Sequence, residues 1–497
     1  MFSYLSAANC NRRGHTALIP FRKWIILTHR YLGVVLSLLF LMWFVSGIAM
    51  IYARGMPSLT REMHLARLPD LNLGAVKLTP AEAEVKAGLG GPAGGAELLT
   101  IMGRPAYRFF SGGPVTVFAD TGELLPDIRR QEAMTIAALF TQLPESRLHY
   151  LGELQEPDQW TLEDRGQLPM HKISADDDFG TNLYVSEETG EVELMTTRGS
   201  RALAWVAAIP HWMYFAPLRI KDDLWRQTVL WTSGAGGFLA LLGIVLSFTQ
   251  FRTRYSGLMR WHYITGTFVG IFTLTWVFSG WLSMEPFFWA SGGETGMRIP
   301  QALSGGPLDL ASFPAVDAGT WTHALGGGSA KQIQLVRIQN EPYFVATMAD
   351  SEPLLFSGSP FQIRHDLFST ESLLERIKGA TPDAPLIESQ VLTDYDSYYH
   401  PGERRPSLPV LRVKFGDPDR TWFYVDLRLG RAVARFTRRE RIQRWIYHGF
   451  HSLDFNFWYY NGSVWRVAMV ALNAGGALLS AIGVVIAFRR ITRTMRT

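Results

Sequence analysis

Twelve histidines are spread along the 497-residue chain, and four of them recur at two fixed spacings. His29 and His262 are 233 residues apart, and His211 and His451 are 240 apart. The flanking residues repeat at the same spacings. At 233, Gly33 meets Gly266, Trp43 meets Trp276, Ser46 meets Ser279 and Gly47 meets Gly280. At 240, Trp205 meets Trp445, Trp225 meets Trp465, Arg226 meets Arg466, Gly236 meets Gly476 and Gly243 meets Gly483. A duplicated unit with a pseudo-two-fold axis sets equivalent side chains face to face. Two opposed imidazoles are what axial ligation of a haem iron requires, and facing helices of a bundle are a standard place for such a site. The pairs therefore predict two haem b groups, one on His29 and His262 and one on His211 and His451. Gly33 and Gly266, four residues beyond their histidines, would let a flat macrocycle or another helix approach closely.

His448 is an alternative ligand, three residues before His451. The repeat favours His451, because the residue 240 before His448 is Ala208, which cannot ligate. A transition-metal site of His448, His451 and Asp454 is a further alternative. Arginine grips carboxylates through paired hydrogen bonds, so Arg30 and Arg260 near one pair, and Arg226 and Arg466 near the other, are candidate partners for haem propionates. Basic residues at span ends are also expected for orientation alone. Trp43, Trp276, Trp225 and Trp465 read as interface anchors or packing residues. Gly236-Gly237 and Gly475-Gly476 read as close-packing sites. Asp176-Asp177-Asp178 reads as a solvated acidic turn, with cation binding as the alternative. Tyr395, Tyr398 and Tyr399 beside His400 read as packing residues, or as the lining of a substrate surface. Arg404-Arg405 is a candidate basic patch for an anionic ligand, or a solvated loop. His171, His365 and His400 have no partner at ligand spacing.

These residues must be held by elements that the charge pattern defines. Four stretches, Tyr31–Ala53, Gln227–Phe251, Trp261–Met284 and Val467–Phe488, contain no charged residue. Each exceeds the roughly 20 residues needed to cross a bilayer. Segments 1–30, 252–260 and 489–497 hold twelve basic residues and no acidic one, which places them in the cytoplasm. The long segments, 54–226 and 285–466, then lie outside. They hold all 44 acidic residues against the remaining 36 of the 48 basic ones. That distribution argues against nucleic-acid binding, since the excess basic charge is where membrane orientation puts it. The single cysteine, Cys10, excludes an internal disulfide and a Cys-rich metal site. The outer segments read as mixed α/β, with a capping signal at Thr79-Pro80-Ala81-Glu82 and strands at Ala106–Phe110 and Val115–Phe118. No nucleotide-binding glycine motif and no hydrolase motif occurs.

THRYLG at 28–33, entering the first span, and WHYITG at 261–266, entering the third, resemble the PepSY-associated transmembrane family. LTPAEA, YRFF and VTVFADTGEL, between residues 78 and 124, resemble a PepSY domain. The resemblance covers essentially the whole chain. It implies a membrane α+β protein: a four-helix transmembrane bundle with two periplasmic PepSY-like α/β domains, internally duplicated, in a bacterial inner membrane with both termini cytoplasmic. Some members are two-haem reductases of ferric siderophores. The expected activity is therefore haem-dependent electron transfer to a siderophore or other ferric chelate, with a cytoplasmic protein or membrane quinol as donor and membrane lipid as surroundings. The alternative is a non-enzymatic membrane protein whose PepSY domains bind or regulate a periplasmic partner.

Overall fold

The computed structural model of the chain describes residues 13–53, 55–285, 295–349, 351–400, 406–455 and 462–496. Cys10, Arg12, Arg404 and Arg405 lie outside the described residues. The chain forms two compact bodies.

The first body is built on four long helices, α1 (Arg13–Ala53), α2 (Asp222–Thr249), α3 (Gly257–Ser283) and α4 (Gly462–Thr494). All four are long and apolar enough to cross a membrane. They run past the charge-free stretches, because an α-helix satisfies its own backbone and can carry its spans into polar surroundings. Neighbours run α1–α2–α3–α4 and back to α1, so α1 and α3 lie on one diagonal. The bundle is apolar outside. Val35, Leu38, Trp231, Phe248, Phe268 and Val467 are exposed, whereas Ser37, Ser46, Thr273, Ser279, Asn473 and Ser480 are buried. A patchwork of large exposed side chains on every helix is what lipid covers and water does not. Phe40 fills the space left by Gly236, and Phe44 that left by Gly476; a Cβ would come within 2.8 Å and 2.4 Å of the two rings. Small residues are what bring membrane helices this close.

Among the described residues, the second body holds fifteen strands. The first region of chain supplies β1 (Gly95–Ile101), β2 (Arg104–Phe110), β3 (Pro114–Phe118), β4 (Leu148–Leu154), β5 (Met170–Ala175), β6 (Asn182–Ser186) and β7 (Val192–Thr196). The second supplies β8 (Gln332–Ile338), β9 (Glu341–Thr347), β10 (Leu354–Ser357), β11 (Gln362–Ile363), β12 (Leu386–Leu392), β13 (Val410–Phe415), β14 (Trp422–Asp426) and β15 (Arg431–Phe436). Strands β4 to β7 form one antiparallel sheet and β12 to β15 another. Helix Arg130–Thr141 covers the first through Ala133, Ile136, Ala137 and Phe140. Helix Thr370–Ala380 turns Leu373 and Ile377 into the core of the second. The two sheets share small devices 240 residues apart. Asp177 accepts from Thr181 N and Oγ1 at 2.9 and 2.6 Å, and Asp417 from Thr421 at 2.7 and 2.6 Å. The acidic turn at 176–178 is thus a hairpin closure.

The remaining strands join the two regions in one seven-stranded sheet, ordered β11-β10-β9-β8-β1-β2-β3. The seam is antiparallel, with Ala96 opposite Leu335 and Leu98 opposite Ile333. Its core includes Phe109, Ala106's neighbour Tyr107, Trp321, Phe344 and Phe356. The expected capping box forms, with Thr79 and Glu82 each receiving the other's backbone N–H at 3.2 and 2.8 Å.

Candidate functional site

His29 on α1 and His262 on α3 meet across the diagonal of the bundle, with ring centroids 6.3 Å apart and planes at 52°. His211, on the short helix Ala208–Trp212, and His451, just beyond the π-helical turn Trp445–Gly449, form the second pair at 6.0 Å and 68°. An ion held between two imidazole nitrogens at about 2.0 Å each would set the ring centroids about 6.3 Å apart. Both pairs meet that spacing within a few tenths of an ångström.

Three of the four rings are oriented by their other nitrogen. His29 Nδ1 lies 3.2 Å from the Leu239 carbonyl. His211 Nδ1 lies 3.2 Å from Ser46 Oγ, which donates to the Trp43 carbonyl at 3.1 Å. His451 Nδ1 lies 3.0 Å from Ser279 Oγ and 3.2 Å from the Trp276 carbonyl, to which Ser279 also donates at 3.0 Å. A carbonyl acceptor places the proton on Nδ1 and leaves the Nε2 lone pair for a metal. Burial pushes His211 down to about 4, and burial with the neighbouring His211 ring pushes His451 to about 3. Both are therefore neutral near pH 7, the form that ligates.

Each histidine has a glycine of a neighbouring helix at its Cε1. A Cβ on Gly243 would lie 3.0 Å from His29, on Gly483 4.0 Å from His262, on Gly47 3.5 Å from His211 and on Gly280 3.8 Å from His451. These four glycines belong to the repeat, yet their role was not readable from spacing alone, since it depends on which helices are neighbours. Trp225 and Trp465 donate to the carbonyls of Trp212 and Ser452 at 2.9 and 2.8 Å. Each thereby clamps the residue that follows one of the facing histidines. Trp276 is buried in the core of the bundle rather than set at an interface.

A cavity of about 1120 Å³ surrounds the first pair, somewhat above the roughly 300–1,000 Å³ of a pocket for a drug-sized ligand. Gly33, Gly266, Gly243 and Gly483 form parts of its wall. Arg30 lines it, joined by Arg489, Arg490 and Arg493 of α4. Arg260 is exposed and is not among the lining residues. The α4 arginines follow the fourth span directly, so sequence assigned them to orientation only. Near the other end, Arg226 donates to the carbonyls of Met284 and Glu285 at 3.3 and 3.1 Å, and Arg466 to that of Gly462 at 3.1 Å. Those two arginines close helix ends. The residues around the first pair thus fit a flat, anionic, iron-bearing macrocycle: facing imidazoles would hold the iron, glycine walls would admit the ring and guanidinium groups would receive its carboxylates.

The alternatives fare differently. His448 is exposed, and Asp454 is held by Arg444 at 3.1 Å in a buried ion pair, so the trio His448, His451 and Asp454 does not converge on one point. In the second body, Glu153, His171 and Glu187 offer ligand atoms within 4.8 Å of one another. His171, however, engages Tyr150 at 2.9 Å through Nδ1 and the Ile128 carbonyl at 2.8 Å through Nε2, which uses both nitrogens. Tyr395 and Tyr399 donate to the carbonyls of Pro406 and Ser407 at 3.0 and 2.8 Å, and Tyr398 packs on Trp422, a structural cluster.

Comparison with curated proteins gives no match. The family model described as the PepSY-associated TM region matches residues 26–490, which take in most of each of the four long helices and both histidine pairs. The chain therefore belongs to the PepSY-associated transmembrane family and is a membrane protein.

Proposed function

We propose that the chain moves electrons across a bacterial inner membrane through two b-type haems and delivers them to a periplasmic ferric chelate, a siderophore complex being the chief candidate. The observation that carries this reading is the pair of facing imidazoles at two levels of one bundle, both at the spacing of axial ligation. His29 and His262 would hold the inner haem, and His211 and His451 the outer one. Haem supplies a one-electron Fe(III)/Fe(II) couple when bound. Leu239, Ser46 and Ser279 set the tautomer of their histidines; Arg30 and the α4 arginines would receive the inner propionates. Along α1, His29 and Ser46 are 17 residues apart, about 26 Å of helix, so the two levels span most of the roughly 30 Å hydrocarbon thickness.

The same reading treats the chain as internally duplicated, with PepSY-like sheet domains outside and both termini in the cytoplasm. It is supported by the matched contacts of Ser46 with Ser279, Trp225 with Trp465 and Asp177 with Asp417. Its basis for orientation is the basic charge of 1–30, 252–260 and 489–497. One added electron turns Fe(III) into Fe(II), a softer ion that oxygen donors hold less tightly, so the chelate would release its iron. The test is the absorption spectrum of the purified protein: two haems per chain with a Soret band are expected. A colourless protein that takes up no added haem would overturn the proposal in favour of partner binding by the sheet domains.

A further inference from the structure

Only one of the four facing histidines has an additional aromatic ring against it among the described residues. Tyr447 lies over His451 with centroids 5.1 Å apart and planes at 21°. Its edge meets His448 at 5.0 Å and 73°. The residue 240 positions earlier is Ala207, which has no ring, so this contact breaks the repeat. Tyr447 belongs to the π-helical turn Trp445–Gly449. Such turns are rare and recur at functional sites because the wider coil re-aims the side chains it carries. Here Tyr447 is directed onto the ligand candidate while His448 is exposed.

The hydrogen bonds from Nδ1 to Ser279 and Trp276 hold one edge of the His451 ring but leave the plane free to swing about that edge. A ring stacked on one face closes that freedom. We infer that Tyr447 is a positioning residue of the second site: it sets the rotation of His451, and with it the 68° angle between the imidazole planes, against 52° in the first pair. The proposal rests on the two-haem reading. The angle between axial imidazole planes governs the anisotropy of a low-spin ferric haem. An electron-rich ring face beside an imidazole that withdraws charge toward ferric iron also favours the oxidised state, as it does for a cation. Tyr447 thus holds the outer haem at a lower potential than the same ligands would without it.

The test uses the full-length protein with both haems, read by electron paramagnetic resonance and by optical redox titration. Y447F keeps the ring and is expected to keep the signal and potential of the second haem. Y447L removes the ring and is expected to shift that signal and raise that potential, leaving the first haem unchanged as an internal control of folding. Y447M, of similar bulk, is read in the same way if Y447L yields little protein. A two-haem protein in which the leucine and methionine variants leave signal and potential unmoved overturns this proposal alone. Y447F behaving like Y447L also overturns it, by assigning the effect to the hydroxyl. A wild-type protein that binds no haem overturns the two-haem reading and this proposal with it.

Discussion

Gly243→Ala is a one-atom change that should weaken one cofactor site and spare the other. The new Cβ would lie 3.0 Å from His29 Cε1 and 3.6 Å from its Nδ1. Carbon atoms rest about 3.5–4.0 Å apart, so the ring must retreat by about 0.5–1.0 Å or the helices must part. Metal–ligand distances tolerate only about 0.2 Å. Overpacking of this kind costs about 1–3 kcal/mol, which is about 5- to 150-fold in affinity for the first haem. Gly483→Ala is the matched control at the repeat position. Its Cβ would meet Ser37 Cβ at 3.6 Å and His262 Cε1 at 4.0 Å, both ordinary contacts, so its effect should fall below threefold, about 0.7 kcal/mol. The assay is titration of haem-depleted protein, followed at the Soret band and by haem content per chain. Equal haem retention by the two variants would refute the argument that Gly243 backs His29, and loss of the second haem by Gly243→Ala would refute the separation of the sites.

Replacing His29 or His262 with Ala should remove the same haem, and replacing His211 or His451 the other, whereas His448→Ala should keep both; haem content and spectra decide, and the ligand assignment fails if His448→Ala loses a haem that His451→Ala retains. A reporter active only in the cytoplasm should work after Thr497, and one active only in the periplasm when inserted near Gly91; the reverse pattern would invert the orientation. Loss of either haem should abolish reduction of an external ferric chelate by protein in liposomes loaded with reductant, and persistence of that activity in a one-haem variant would exclude a series path. In the second body, burial and the nearby Glu191 raise the Glu193 carboxyl. The folded state therefore holds that proton more tightly than the unfolded chain, and this contribution is lost as pH rises above the ordinary carboxylate range of about 4.3. Glu193→Gln should thus raise the thermal midpoint at pH 7.5, with the gain vanishing toward pH 4; a gain that grows on acidification would show the opposite sign of shift.

The spans and the histidine pairing were legible in one dimension. A stretch without charge that exceeds the bilayer thickness has few alternatives to a transmembrane helix, because unsatisfied backbone is too costly in hydrocarbon. The spacings of 233 and 240 aligned His29 with His262 and His211 with His451, the same pairs whose rings face each other. The strands at Ala106–Phe110 and Val115–Phe118 were legible, and the turn that ends the second was marked by Gly122, which adopts a left-handed backbone at φ 81°.

Other features depend on which elements become neighbours, and no local pattern carries that. The seam between β1 and β8 joins strands more than 230 residues apart through Ala96–Leu335 and Leu98–Ile333, ordinary apolar pairs with no marker of their partner. The glycines at the histidine rings come from adjacent helices, so Gly243 and Gly47 gain meaning only once α2 lies against α1 and α1 against the Ala208–Trp212 turn. Arg489, Arg490 and Arg493 look like span-end charges until α4 brings them to the cavity of His29. Sequence by itself determined the membrane class, the four candidate spans and which histidines correspond, since hydrophobic length and repeat spacing are properties of the chain read in order. Only the tertiary structure decided what touches each histidine, the shared sheet and the stacking of Tyr447, because these are set by the three-dimensional packing of segments that are distant in the chain or re-aimed by a π-turn.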